Sequence, residues 1–458
     1  MNRDLLSFSL AAKGDLLGKN VLVANNVINS QQASIGDLFF AIKGENSDGH
    51  DYVLDAIDRG AIGAVVTHDQ KVPVPYIKVS CVKKAIADIA TEWRKNFNIP
   101  CIGVTGSNGK TTVKEFTTHI LSQKYSVHSS KGNQNNELGL PLSVMALKGN
   151  IECAVFEMGA RNIGDIKYLM GIAAPSIGII TNAHYAHISE FGNLKEIVTA
   201  KGEMVGQLPR NGVAILNKDD PYYQHWSSIN TSHNEINFSM TQDADIKLIG
   251  IKKLDSKSYK LNISCKGNGL IEVNYKTISM HNIQNLLPAI AVGIKLEVPL
   301  EDITYAISTM PELDQRMALK PHPDGYLVID DTYNANPAST LSALNSLSAI
   351  SKGKRIFIFG GMEELGSLST ELHSDIGRHA CSTVDIMIVL PGKAELALDE
   401  YKGQKIVAKD YKDAINTARL MIDSKSTILI KGSRNAKMER IVLSLMQRSP
   451  YKNVIKPI

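Results

Sequence analysis

The residues Gly103 to Thr112 read G-V-T-G-S-N-G-K-T-T. A short apolar run, Ile102 to Val104, leads into them, and a helical pattern, Val113 to Leu121, follows. Strand, glycine-rich turn and helix together are the context of a phosphate-binding loop. Glycine lets successive backbone N–H groups curl around phosphate oxygens. The starting helix turns its positive end to the same place. Gly106, Ser107, Asn108, Gly109 and Thr112 would form the cradle, Lys110 would reach the terminal phosphates, and the Thr111 hydroxyl would face a magnesium ion. The spacing departs from G-x-x-x-x-G-K-T, because Val104 stands at the first glycine position and glycines stand at 103 and 106 instead. A plain glycine turn is the alternative; the strand and helix on either side favour the phosphate loop.

The chain has 458 residues, which suggests about three domains. With a net charge of +4 and no lysine–arginine run, no nucleic-acid partner is expected. Cys81, Cys101, Cys153, Cys265 and Cys381 are scattered and form no C-x-x-C pair. They indicate neither a disulfide framework nor a zinc site, and most read as buried thiols in a reducing compartment. Leu5 to Ala12 lacks the cleavage site of a signal peptide. No apolar run approaches the roughly 20 residues that span a bilayer. The expectation is a cytoplasmic protein without membrane insertion.

Three segments emerge, all α/β. Residues 1–80 read as a small N-terminal α/β domain, with strands at Val21–Val23, Leu38–Ile42, Ala64–Thr67 and Tyr76–Val79 and a helix at Tyr52–Arg59 ended by Gly60. Residues 81–310 read as a central P-loop ATPase-like domain with a parallel sheet. Its strands Tyr125–Ser129, Cys153–Glu157, Ile177–Thr181 and Val213–Leu216 alternate with helices at Glu137–Leu147, Ile163–Met170 and Leu194–Gln207. From Ala244 to Met280 the period changes to two, and Lys266-Gly267-Asn268-Gly269 marks a hairpin. This is an antiparallel insertion or an edge of the same domain. Residues 311–458 read as a C-terminal Rossmann-like domain without a second phosphate loop.

Polar clusters recur after strands: Glu157, Thr181-Asn182, Asn217, Asp330-Asp331, Gly360-Gly361 and Lys431 to Arg434. Ligands of open parallel sheets bind outside that end, so two facing sheets would share one cleft. Several clusters read two ways. Glu157 is a magnesium ligand or half of a structural ion pair. His184 and His187 are packed loop residues or ligands. Lys201, taken alone, is a solvated helix lysine. Asn282 and Asn285 share a helical face, for capping or for binding a ring. The loop Lys43 to His50 is solvated or holds a charged ligand. In Asp330 to Ser339, D-D-T-Y-N-A-N-P-A-S, two acids and two asparagines exceed the needs of a turn.

Taken together, these segments resemble the Mur ligases over essentially the whole length. The carrying motifs are T-G-S-N-G-K-T-T, N-Q-N-N-E-L-G-L-P (Asn133 to Pro141), F-E-M-G-A (Phe156 to Ala160), T-N…A-H…F-G, A-K-G-E, H-N-I-Q-N, D-D-T-Y-N-A-N-P, G-G-M-E-E-L-G and K-G-S-R. D-D-x-Y-N-A-N-P and M-x-E-L-G point to the dipeptide-adding member. The resemblance implies an ATP-dependent ligase of peptidoglycan synthesis, working as a monomer. ATP would phosphorylate the terminal carboxylate of UDP-N-acetylmuramoyl-tripeptide, and D-alanyl-D-alanine would attack the acyl phosphate.

It further implies roles. Lys110 would hold the β- and γ-phosphates, Thr111 and Glu157 one Mg²⁺, and His187 and a carbamylated Lys201 a second Mg²⁺. Asn285, with Asn282 near, would contact adenine. Arg316 and Asp331 would reach phosphate and ribose. Asn334, Asn336, Ser433 and Arg434 would hold the dipeptide. Ser30, Lys43, Asp48, His50, Asn135 and Asn136 would hold the UDP-linked substrate. Three positions depart from the family pattern: Asn29-Ser30-Gln31 stands for Asp-Ser-Arg, Gln315-Arg316 for Gly-Arg, and Gly361 for the aspartate of G-D-M-x-E-L-G. The competing readings are a folylpolyglutamate synthase-like ligase, which the first domain and Y-N-A-N-P argue against, and a nucleotide-dependent switch ATPase.

Overall fold

The computed structural model describes residues 3–185 and 188–447. Three sheets follow one another along the chain. The first has five strands in the spatial order Asp15–Leu17, Tyr76–Lys78, Gly63–Val66, Leu38–Phe40 and Asn26–Val27. All its pairs are parallel except the first. The expected strand Val21–Val23 is not part of it. Val21 and Val23 bond instead to Leu5 and Arg3, and Leu22, 78% exposed, only bridges Asp4. Leu5–Ala12 is a helix, started by the Asp4 carboxylate accepting from the Ser7 N–H at 2.7 Å.

The second sheet has nine strands: Gly269–Lys276, Ser258–Cys265, Ile246–Lys253, Glu235–Ser239, Val213–Asn217, Ile177–Ile180, Cys101–Thr105, Cys153–Glu157 and Val127–Ser129. From Ile246–Lys253 onward every pair is parallel. The hairpin at the other end is antiparallel, so the period-two segment extends this sheet. Cys101–Thr105 is buried along its whole length. It has to be, because helices cover both faces of a parallel sheet. The helix Lys110–Leu121 packs against Met280–Lys295 over one face, and Leu194–Gly206 packs on the other. Register places Val104 beside Glu157, and Thr105 beside Ile180. The loops after these strands therefore meet at one edge.

The third sheet runs Ala318–Pro321, Leu327–Asp331, Thr427–Lys431, Arg355–Phe359, Ile386–Val389 and Gln404–Val407, and only its first pair is antiparallel. Asp331, Lys431 and Phe359 stand side by side at the carboxyl end. Cys101, Cys153 and Cys265 are buried, while Cys81 and Cys381 are exposed. Among the described residues, no helix is long and apolar enough to cross a membrane.

Candidate active site

The loop after Cys101–Thr105 turns on two glycines. Gly106 has φ +143 and Gly109 φ +82, conformations that L side chains rarely adopt. A Cβ at Gly106 would lie 1.9 Å from Thr181 Oγ1. The next strand's loop holds this turn in shape. Thr181 Oγ1 donates to the Asn108 carbonyl at 2.6 Å, Asn108 N–H donates to Asn182 Oδ1 at 2.9 Å, and Ser107 N–H to the Asn182 carbonyl at 3.0 Å. The helix Lys110–Leu121 then starts with no side-chain cap, which leaves its first turn suited to an anion. Lys110 Nζ donates to the carbonyls of Gly106 (2.7 Å) and Ser107 (3.1 Å). Burial lowers its pKa; Glu157 opposes that and Arg316 adds to it.

Gly106→Ala is expected to break this cradle. Strain of about 1–3 kcal/mol at such a position would appear as a fall of roughly tenfold or more in ADP affinity by calorimetry. Unchanged affinity would contradict the role given to the turn.

Glu157 is 2% exposed. A buried carboxylate needs partners, and it has them. Thr111 Oγ1 donates to Oε2 at 2.7 Å and Asn135 Nδ2 to Oε1 at 2.7 Å. Its own N–H donates to Ser130 Oγ at 3.0 Å.

Across the cleft, Arg316 Nη2 donates to Thr111 Oγ1 at 2.8 Å, and its guanidinium lies 4.1 Å from the centroid of the Tyr333 ring. Asn336 Nδ2 donates to Asn108 Oδ1 at 2.5 Å, and Ser189 N–H to the Glu364 carbonyl at 3.0 Å. The second and third sheets are thus bonded at their facing edges around a cavity of about 670 Å³. Its lining includes Lys110, Thr111, Glu157, Asn135, Asn136, Asn282, Asn285, Arg316, Asp331, Asn334, Asn336, Ser433 and Arg434. Ser107, Asn108, Gly109 and Thr112 line it too.

Other expected site residues lie elsewhere. Gly106 is buried behind the loop. Lys201 is 2% exposed and outside the lining, on the helix packed under the central strands. Its ammonium is 5.7 Å from the Phe191 ring centroid. Burial, with Lys110 second, lowers its pKa to about 7. It is therefore not the solvated lysine that composition alone suggests. His187 lies outside the described residues.

Lys43, Asp48 and His50 gather in one loop of the first domain. Thr67 N–H donates to His50 Nε2 at 3.0 Å, so the ring proton sits on Nδ1 and points to Asp48 Oδ1, 2.6 Å away. Lys43 bridges Asp48 through the backbone. Ser30 is buried at the start of a short helical turn, and its hydroxyl is the main influence holding Asp55 below the usual carboxylate range. None of these four lines the cavity.

Several polar groups first build loops. Asn136 Oδ1 accepts from Gly139 N–H at 2.8 Å, which starts a helix two residues later than expected. Asn336 caps Pro337–Ile350. Lys431, absent from the expected site, donates to Asp331 Oδ2 at 2.5 Å and to the Asn334 carbonyl at 2.9 Å. Its place at the end of a strand was the available signal. Ser433 Oγ is buried at the cavity wall without a hydrogen-bond partner among the described residues.

Three family models match in succession: "Mur ligase family, catalytic domain" over residues 23–100, "Mur ligase middle domain" over 104–293 and "Mur ligase, glutamate ligase domain" over 315–434. The UDP-N-acetylmuramoyl-tripeptide–D-alanyl-D-alanine ligase of Buchnera aphidicola is 31% identical over 457 residues, 98% of this chain and 99% of that protein. The chain belongs to the Mur ligase family. A crystal structure of MurF from Acinetobacter baumannii superposes on this Mur ligase with a TM-score of 0.89 at 28% identity, covering 96% and 98% of the two chains. MurF from Thermotoga maritima in complex with ADP gives 0.82 at 26% identity, covering 93% and 97%.

The departures of this Mur ligase from the family pattern have visible consequences. Gln315 adopts φ +60, the conformation for which glycine is suited, and its side chain accepts from Arg434 Nη1 at 3.4 Å. Gly361 has φ +77. Gln31 is exposed and accepts no role in the cavity.

Proposed function

We infer that this Mur ligase is an ATP-dependent amide-bond ligase that joins D-alanyl-D-alanine to UDP-N-acetylmuramoyl-tripeptide in peptidoglycan precursor synthesis. The observation that carries this reading is the phosphate loop bonded across one cavity to the Asp331–Asn336 segment. A phosphoryl donor and an attacking amine can then be held on opposite walls of the same space. The whole-length likeness to dipeptide-adding ligases selects the substrates.

The loop N–H groups and Lys110 hold the triphosphate. A tripeptide carboxylate oxygen attacks the γ-phosphorus, and the bond to ADP breaks. The dipeptide amine then attacks the acyl carbon and gives up a proton, the C–O bond breaks, and phosphate leaves with the former carboxylate oxygen and that proton. Both reactants are anionic, so cations must lie between them. Lys110 and Arg316 supply two. Magnesium would supply further charge neutralisation. The donors fit it, because Mg²⁺ is usually bound through one or two carboxylates plus phosphates, and Glu157 with the Thr111 hydroxyl offers such a set. No group of three His, Cys, Asp or Glu side chains is gathered among the described residues, and this mode needs none. A second Mg²⁺ would fall to His187 and a carbamylated Lys201.

Asn282 and Asn285 are assigned to adenine, and Asp331 to ribose. Asn334, Asn336, Ser433 and Arg434 are assigned to the dipeptide; the unpartnered Ser433 hydroxyl supports a polar ligand atom there. Ser30, Lys43, Asp48 and His50 are assigned to the UDP end, and Asn135 and Asn136 to the peptide end. The enzyme is proposed to act as a cytoplasmic monomer, with domain boundaries near residues 80 and 310.

ADP release should require both substrates together. Steady ATP hydrolysis without either would support a nucleotide-driven switch instead.

A further inference from the structure

Lys114 is fully buried, yet no step above uses it. Lysine is almost never fully buried unless it is paired. It stands three residues after Thr111 on the phosphate-loop helix, so the two share a face. Its ammonium donates to the Ser130 carbonyl at 2.6 Å and pairs with Glu115 Oε1 at 2.8 Å. Ser130 is itself 1% exposed, and its N–H donates to the Val155 carbonyl at 3.1 Å. The Ser130 hydroxyl is the group that accepts the Glu157 N–H. Five residues on, the same segment supplies Asn135, whose amide holds Glu157 Oε1 and whose carbonyl accepts from Gly159 N–H at 2.7 Å. Glu157 is thus gripped at both oxygens and at its backbone, and two of those three contacts come from a segment anchored by Lys114.

A buried ammonium carries a large desolvation cost, so its presence here calls for a role beyond filling the core. What an apolar chain cannot do is fix the Ser130 carbonyl in place. We propose that Lys114 is a positioning residue: it ties the 130–136 segment to the phosphate-loop helix, so that Glu157 and Thr111 keep one geometry toward the metal-bound nucleotide. This rests on the reading of Glu157 as a magnesium ligand.

The test uses the full-length protein with Mn²⁺ and ADP. Mn²⁺ retention is read by electron paramagnetic resonance, and metal-free ADP binding by calorimetry. Lys114→Met and Glu157→Gln should each weaken Mn²⁺ retention by about 10–100-fold, the usual effect of losing a ligand's supporting shell. Metal-free ADP affinity should hold within about twofold in Lys114→Met, and the double variant should be no weaker than Glu157→Gln alone. Ser130→Ala removes only the hydroxyl and should behave like Lys114→Met, which keeps the test open if the lysine variant fails to fold. Wild-type Mn²⁺ retention in either Lys114→Met or Ser130→Ala would overturn the positioning role. So would additive losses in the double variant, or equal losses with and without metal. Wild-type retention in Glu157→Gln would instead overturn the metal assignment itself.

Discussion

Replacing Lys110 with alanine is expected to abolish ligation while leaving the central sheet folded. Among the described residues, the lysine is the ammonium bonded to the phosphate loop's own carbonyls, those of Gly106 and Ser107. It sits within electrostatic reach of Glu157 and Arg316. Phosphoryl transfer spreads charge over the equatorial oxygens, and little but positioned cations can stabilise it. Losing one such group should lower turnover on the order of 10²-fold or more. The fold should survive, because both bonds of the lysine stay within the phosphate loop, and Thr181 and Asn182 hold that loop independently of it. Circular dichroism and turnover on the same sample separate the two effects. Near-normal turnover in a folded variant would contradict the assignment of the loop.

Lys201 should tolerate neither alanine nor arginine. Its pKa of about 7 follows first from burial and then from Lys110. The neutral amine is therefore populated near neutrality, and only that form can attack CO₂; the nitrogen bonds to carbon and a proton is released. The carbamate so formed would offer oxygen to a hard cation, which an ammonium cannot. Arginine stays protonated and cannot react this way. Both variants should lose most activity, and bicarbonate removal should weaken the native enzyme. Native activity should rise with pH through about 7. The linked stability has the same sign. The unfolded lysine keeps its proton up to about 10.4, so the unfolded state binds more protons from about pH 7 upward, and folding strengthens over that window. A fully active Lys201→Arg would contradict the role. Impaired variants with no bicarbonate effect would leave the amine important and remove the carbamate.

The phosphate loop was legible because strand, turn and helix lie within a score of residues, and each leaves a local trace. Glu157 was legible for a similar reason: a charge ending an apolar strand demands a partner. The burial of Lys114 and Lys201 was not. Both occupy helices whose sequence cannot say which lysine faces inward, and in each case burial is decided by segments far along the chain. The bond from Asn336 to Asn108 spans 228 positions and has no sequence signature. The strands Asp15–Leu17 and Asn26–Val27 are too short to show a period of two, which left Val21–Val23 as the more convincing but mistaken choice. The positional rule that polar clusters follow strands carried furthest. It marked the segment holding Lys431, though not the ion pair that lysine makes with Asp331.

The carboxylate is expected to be activated as an acyl phosphate and then captured by the dipeptide amine. Tripeptide substrate carrying ¹⁸O in its terminal carboxylate, incubated with ATP and D-alanyl-D-alanine, tests it in one mass-spectrometric measurement. The expected product equals both substrates less one water, with one ¹⁸O carried into the released phosphate. Unlabelled phosphate, or ADP formed without the joined product, would contradict it.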